Sequence, residues 1–311
     1  VRLNLPLRIR DFLLDLDRWV YAVAAYDNRE RAGCLLRYVP DPAGDRVDRE
    51  GRRYRKVGFE EGYQLLRDNK PEFLDLLHRV PYDQVSRILK PELECPRVER
   101  EEPRVKAIAE QLALVPGTYG CSGSRLCGLA NAGSDIDLVV YGPAWFSAQQ
   151  RLQQAVAEGR VEDLDEDLWQ RIYAKRNPSI PYPVFRLHEE RKWNRGRIGG
   201  TYFDLLYARS YDDLASALPS GKGTVLGKGT VEGVVTDDRL AFDAPAVYPL
   251  EGAAVDKVLS FTHTYTGQVR AGETLQAKGV IEQHGDEQWL VVGTTREAKG
   301  EYIVSSTLLE T

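Results

Sequence analysis

The chain has 311 residues, enough for two or three domains with cores of their own, and its apolar fraction of 42% is that of a globular protein. A formal net charge of −5 excludes a chain that is, taken whole, an electrostatic magnet for nucleic acid, and no apolar run approaches a membrane span. Four cysteines without metal-ligand spacing (Cys34, Cys95, Cys121, Cys127) point to reduced thiols, and Val1-Arg-Leu-Asn-Leu-Pro6 lacks a signal-peptide pattern, so a cytoplasmic protein is expected.

Residues 1–98 read as a small α+β domain. Strand-like runs at Arg18–Tyr26 and Ala32–Val39 precede a basic turn region, and helical patterns follow around Phe59–Arg67 and Tyr82–Leu89. Glu94–Pro103, dense in proline and charge, reads as a linker. From Arg104 to Leu114 the period is helical. Pro143 opens a helix carrying Trp145, Phe146, Leu152 and Val156, its missing N–H harmless at a first-turn position. A second amphipathic helix is expected around Leu164–Lys175, behind the acidic run Glu162–Asp167 that suits the helix dipole, with Trp169 and Tyr173 as core aromatics.

Residues 99–218 form the second expected domain and 219–311 the third. Pro219–Gly229 resembles a phosphate loop but has Gly229 where Ser or Thr is required, and reads as a flexible connection. Beyond it, short alternating runs at Thr230–Val235, Val258–Thr264, Thr274–Glu282, Gln288–Val292 and Glu301–Ser305 predict a small, OB-like antiparallel β-barrel. Phe261, His263 and Tyr265 would alternate on one face of a strand there, although the acidic balance of this segment argues against indiscriminate nucleic-acid binding.

Chemistry concentrates in Tyr119-Gly-Cys-Ser-Gly-Ser124, a short helical stretch Arg125–Ala130, and then Asp135-Ile-Asp-Leu-Val-Val-Tyr141. Successive side chains of a strand alternate faces, so Asp135 and Asp137 point the same way while Ile136, Leu138 and Val140 face a core. Two like charges this close favour a bound cation, and hard oxygen ligands suggest Mg²⁺. Backbone N–H groups at a glycine-rich helix start form an anion site that the Ser124 hydroxyl extends. A third carboxylate is needed, and Asp204 is the best candidate because it interrupts the apolar and aromatic run Thr201–Ala208.

This pattern of Gly-Ser, about ten residues, Asp-x-Asp on a strand and a lone Asp on a later strand resembles the DNA polymerase β-like nucleotidyltransferase superfamily. The stretch Gly123–Gly142 fits it without a gap, and the resemblance covers about residues 104–210. More narrowly, the whole chain is similar to a group of archaeal and bacterial predicted nucleotidyltransferases. The resemblance implies an α+β chain: a polymerase β-like catalytic domain, a mixed sheet with helices, between the N-terminal α+β domain and the C-terminal barrel. It further implies two Mg²⁺ ions held by Asp135, Asp137 and Asp204, with Asp204 on the metal that activates the attacking hydroxyl. Gly123 and Ser124 would hold the triphosphate, and Arg125 and Ser134 complete the nucleotide-binding set.

Two basic clusters are candidate phosphate contacts: Arg46, Arg49, Arg52, Arg53, Arg55 and Lys56, and, running into the Asp204 strand, Arg186, Arg191, Lys192, Arg195 and Arg197, accompanied by His188, Trp193 and Asn194. Arg191, Lys192, Arg195 and Arg197 are the expected acceptor-binding residues. The reading is transfer of a nucleoside monophosphate from a nucleoside triphosphate to an acceptor hydroxyl with release of pyrophosphate, RNA such as a tRNA end being the first-choice acceptor. A protein or small-molecule acceptor, or an inactive nucleotide- or RNA-binding protein, are the alternatives.

Overall fold

Apolar and β-branched residues at alternate positions build the first sheet in the computed structural model, which describes residues 5–216, 218, 221–293 and 298–310. The readings of Val1–Asn4 and of Pro219 and Ser220 fall outside those residues. Strands β1 (Phe12–Asp15), β2 (Val20–Val23), β3 (Arg31–Pro40), β4 (Arg46–Val47), β5 (Arg53–Lys56), β6 (His78–Pro81) and β7 (Val85–Leu89) join in the order β4-β5-β3-β2-β1-β7, with β6 added on β3. One core gathers Leu13, Tyr21, Cys34, Leu36, Val39, Leu66 and Phe73, with α1 (Phe59–Asn69) supplying Leu66. A buried Lys70 closes it electrostatically, its Nζ 2.6 Å from the Oδ2 of both Asp15 and Asp17.

Two sequence expectations change here. Tyr82–Leu89 is not a helix: Tyr82–Gln84 make one 3₁₀ turn, and Val85–Leu89 then pair with β1, Phe12 opposite Leu89. The β-branched Val85 and Ile88 favour the strand, and pairing decides it. Nor is Glu94–Pro103 a linker. It is covered by α2 (Pro91–Glu101) and the start of α3 (Pro103–Gln111), each with proline at its first position. Pro96 removes one bond inside α2, but Pro91, Cys95 and Val98 form a buried stripe at helical spacing that outweighs the loss.

A four-stranded sheet follows, ordered β10-β11-β9-β8: β8 (Tyr119–Cys121), β9 (Ile136–Tyr141), β10 (Arg195–Ile198) and β11 (Thr201–Ala208). Helix α4 (Gly123–Leu126) links β8 to the loop before β9, and α5 (Pro143–Ala157) follows β9. Trp145 of α5 is buried, donates its indole N–H to the Leu205 carbonyl at 3.2 Å and packs edge-on to Tyr207. Helix α5 thereby covers the face carrying Phe203, Leu205 and Tyr207, and the alternate residues of β11 are left to the other face.

The chain resolves into two compact units, Val1–Asp163 with Asn194–Ser220, and Leu164–Trp193 with Gly221–Thr311. Both sheets just described lie in the first. In the second, α6 (Glu166–Arg176) is capped by the Asp165 carboxylate, which accepts from the Leu168 N–H at 2.8 Å. It packs with α7 (Tyr182–Glu190) through Tyr173, Tyr182 and Phe185.

The remaining strands are β12 (Thr224–Val235), β13 (Ala246–Glu251), β14 (Lys257–Ser260), β15 (Thr274–His284), β16 (Glu287–Val292) and β17 (Tyr302–Ser305), before a last turn α8 (Ser306–Leu309). They pair in the order β12-β13-β14-β16-β15-β17, and β15 also pairs with β12, so the pairing returns to its first strand. The described part of the expected flexible connection is largely strand: β12 pairs with β15 from Thr224 opposite Gln283. Gly229 packs flat, since a Cβ there would meet Ile281 Cδ1 at 2.8 Å, which is why a glycine-rich run serves as a strand. Phe261, His263 and Tyr265 do not share a strand face. β14 ends at Ser260, Phe261 is exposed, and His263–Tyr265 form a 3₁₀ turn that buries Tyr265.

Candidate active site

β9 and β11 run parallel with Asp204 directly opposite Asp137. Ile136, Leu138 and Val140 are buried, while Asp137 is half-buried and Asp135, just before the strand, is exposed. Asp204 is also half-buried, accepts the Tyr202 hydroxyl at 2.6 Å and lies 4.0 Å from Arg195 Nε. Burial, followed by the negative charges of Asp135 and Asp204, pushes the Asp137 carboxyl up to about 6, and the positive charges of Arg10 and Arg37 act against that rise.

The Ser122–Ser124 turn is pinned against this carboxylate. Ser122 donates its N–H to the Asp137 carbonyl at 2.8 Å and its hydroxyl to the Arg10 carbonyl at 2.7 Å. Gly123 has φ +65°, and a Cβ there would overlap Asp137 Oδ2, so the position requires glycine on two grounds. Ser124 is mostly buried, and its hydroxyl makes no hydrogen bond among the described residues. Leu126 and Leu129 seat the segment on Phe12, Val20, Tyr38, Tyr54 and Leu89 of the first sheet. Burial, reinforced at Cys121 by the Asp137 charge, raises the neighbouring Cys121 and Cys127 thiols above the ordinary thiol range and so disfavours the thiolate.

Arg125 and Ser134 are tied into the loop. The Arg125 guanidinium bonds Glu102 Oε2 at 2.6 Å, the Ser134 carbonyl at 2.8 Å and the Asp135 carbonyl at 3.2 Å. Ser134 Oγ accepts from Arg46 Nη1 and from the Asn131 N–H, each at 2.9 Å. Together they fix the chain that presents Asp135.

The candidate acceptor residues divide between the units and are engaged with acids. In the second unit Arg191 grips Glu273 through both terminal nitrogens at 2.6 and 2.8 Å, and Lys192, fully buried, lies 2.5 Å from Glu189. In the first, Arg195 is buried beside Asp204, and Arg197 Nε lies 3.9 Å from Glu162. His188 is buried and accepts from the Ser305 N–H at 2.9 Å, and Asn194 is buried. The earlier cluster is similarly committed, with Arg49 to Glu101, Arg52 to Glu50 and Arg55 to Asp41.

Sequence reasoning missed Arg10 and Arg37. The signal for Arg37 was available: it interrupts the apolar run Cys34–Val39 as Asp204 interrupts its own strand.

Among the described residues no three His, Cys, Asp or Glu side chains are gathered tightly enough to cage a metal ion. The donor set nonetheless suits a hard cation: Asp137 is a carboxyl raised first by burial and then by the charges of Asp135 and Asp204, set in a cradle that a Cβ on Gly123 would fill.

The family model of the nucleotidyltransferase domain matches residues 102–194, which include Gly123, Ser124, Asp135 and Asp137. A protein of Methanocaldococcus jannaschii, MJ1086, is 35% identical over 96% of this chain and 99% of its own length. The chain belongs to the DNA polymerase β-like nucleotidyltransferase superfamily. No solved structure matches it. The domain match ends before Asp204, so in this nucleotidyltransferase the third carboxylate rests on strand register alone. No helix among the described residues is long and apolar enough to cross a membrane.

Proposed function

We propose that this nucleotidyltransferase is Mg²⁺-dependent and moves a nucleoside monophosphate from a triphosphate to an acceptor hydroxyl on RNA, such as a tRNA 3′ end, releasing pyrophosphate. The register of Asp204 on Asp137, beside the Gly123 cradle, is the observation that carries this reading. The acceptor oxygen forms a bond to the α-phosphorus as the bond from that phosphorus to the β-phosphate bridging oxygen breaks, and the hydroxyl proton passes to solvent. Asp135, Asp137 and Asp204 would hold two Mg²⁺ ions, which supply Lewis-acid stabilisation of the entering and leaving oxygens. The turn amides and the Ser124 hydroxyl orient the phosphates. Arg125 and Ser134 act on the nucleotide indirectly, by holding the loop that carries Asp135.

We read the returning pairing β12-β13-β14-β16-β15-β12 as a small OB-like barrel, an architecture that suits an RNA acceptor. The pairing of Arg191 with Glu273 and of Lys192 with Glu189 favours a second reading, a protein or small-molecule hydroxyl, because charges already neutralised release few counterions. Incubating the chain with Mg²⁺, each α-labelled ribonucleoside triphosphate, total RNA and cell extract separates the readings. Label on RNA supports the first, and label on protein or a small product the second. No transfer from any triphosphate would leave a binding protein without transferase activity.

A further inference from the structure

Along β3, Cys34, Leu36 and Val39 pack into the core on one face of the first sheet, whereas Tyr38 packs with Leu126 and Leu129 on the other. Strict alternation cannot place Leu36 and Val39 together. The register against β2 supplies the reason: Val20 is opposite Tyr38 but Tyr21 is opposite Leu36, which leaves Arg37 as the extra residue of a β-bulge. A bulge sets two successive side chains on one face, here either Leu36 with Arg37 or Arg37 with Tyr38. The Leu36 face is an apolar core of buried residues, so the half-buried Arg37 goes with Tyr38, on the side that seats the Gly123–Ser124 turn. In keeping with that side, the positive charge of Arg37 acts against the rise of the Asp137 carboxyl and of the Cys127 thiol. The guanidinium, half-buried, makes no hydrogen bond or ion pair among the described residues, unlike Arg46, Arg49, Arg52 and Arg55.

We propose that Arg37, contributed by the N-terminal sheet, is a phosphate-binding residue that takes the β- and γ-phosphates of the bound triphosphate and the pyrophosphate product. The inference rests on the nucleotidyltransferase reading and extends it to a strand outside the matched domain. Its chemistry follows from the surroundings. A planar fork of five donors suits a polyphosphate better than any single partner, and a permanent positive charge that acts on Asp137 offsets part of the repulsion that an incoming polyanion would meet. A lysine keeps the charge and loses the fork.

The test is calorimetric titration of the full chain with Mg²⁺ and, in turn, each common ribonucleoside triphosphate, its monophosphate and inorganic pyrophosphate. The parent, Arg37→Gln, Arg37→Lys and Asp135→Asn/Asp137→Asn are compared, each with a thermal melt. Arg37→Gln is expected to weaken triphosphate and pyrophosphate binding about ten- to a hundredfold, the range of a charge-assisted contact, and to leave the monophosphate unchanged. Arg37→Lys should recover part of the loss, and both variants should melt with the parent. If Arg37→Gln binds triphosphate as the parent does while the double aspartate variant has lost it, the Arg37 assignment falls and the nucleotidyltransferase reading stands. Equal weakening toward monophosphate and triphosphate, or a lowered melting temperature in both Arg37 variants, would overturn the assignment in favour of a structural role. If the parent binds no triphosphate, both readings fail together.

Discussion

Asp137 on β9 in the first unit and Glu273 just before β15 in the second are both acids at a sheet, and their surroundings treat them in opposite ways. Burial and two neighbouring carboxylates push Asp137 up to about 6. Burial also opposes ionisation of Glu273, yet the Arg191 fork, the Arg270 N–H and the Ser305 hydroxyl overcome it and hold the carboxyl down to about 2. The arginines repeat the contrast: Arg191 is gripped at both ends, and Arg37 makes no ion pair among the described residues. A charge the fold has fully answered stabilises the fold, whereas a charge left in surplus is available to a ligand.

The strongest way to break this comparison is to remove the surplus. Asp135→Asn with Asp137→Asn is expected to lower nucleotidyl transfer by about three orders of magnitude or more, while the melting temperature holds or rises because a repulsion is relieved. Asp204→Asn should lower turnover by about two orders and leave triphosphate affinity nearly intact. Label-transfer assays at saturating triphosphate check both; normal turnover in either would remove that carboxylate from the chemistry.

Next comes the answered charge. Glu273→Gln leaves a half-buried guanidinium with a weaker partner and should cost about 2–3 kcal/mol in urea unfolding, with transfer by the remaining folded protein unchanged. A loss below about 0.5 kcal/mol would mean that the pair is solvent-screened and contributes little. Gly123→Ala should cost about 2 kcal/mol, since the left-handed backbone is strained and the new Cβ displaces Asp137. Unlike Glu273→Gln, it should also abolish triphosphate binding, and a variant that unfolds earlier but binds normally would separate the turn from the site.

The Gly123–Ser124 turn and the strand that follows Asp135 were legible because glycine, serine and aspartate at fixed spacing leave few alternatives. Pro143, the acidic start of α6 and the aromatic run around Asp204 were legible for the same reason: each is a local signal with a local cause. What could not be read was settled by contacts far along the chain. Pro96 and the surrounding charges suggested a linker until a buried stripe made them a helix. The glycines after residue 220 suggested slack until Ile281 packed against one of them. Arg191 and Lys192 counted as positive charge for an acceptor because Glu273 and Glu189 could not be seen to answer them. Arg37 was hidden for the opposite reason, since the bulge that holds it belongs to the pairing of two strands and not to the residue.

The smallest expected effect is on the pH dependence of stability, where the two acids act with opposite sign. Glu273 is depressed in the folded chain, so its contribution is present above its ordinary value near 4.5 and is lost as the pH falls through about 2. Asp137 is raised, so the folded state is favoured while it is protonated; that contribution is present below its ordinary value of 3.8 and is lost as the pH rises through about 6. Asp11 is also raised to about 6, by burial that its Lys90 partner only partly offsets, and loses stability over the same interval. His78 and His188, both lowered to about 4 by burial, act the other way and gain stability as the pH rises toward their ordinary value of 6.5. The test is therefore the difference between two chains: from pH 4 to pH 7, Asp137→Asn should gain about 1–2 kcal/mol relative to the parent, while the Asp11 and histidine shares are common to both. Urea unfolding of parent and variant at the two pH values measures the difference. An identical pH dependence in Asp137→Asn and the parent would mean that the carboxylate beside Gly123 is already answered in the folded chain, and the contrast with Glu273 would not hold.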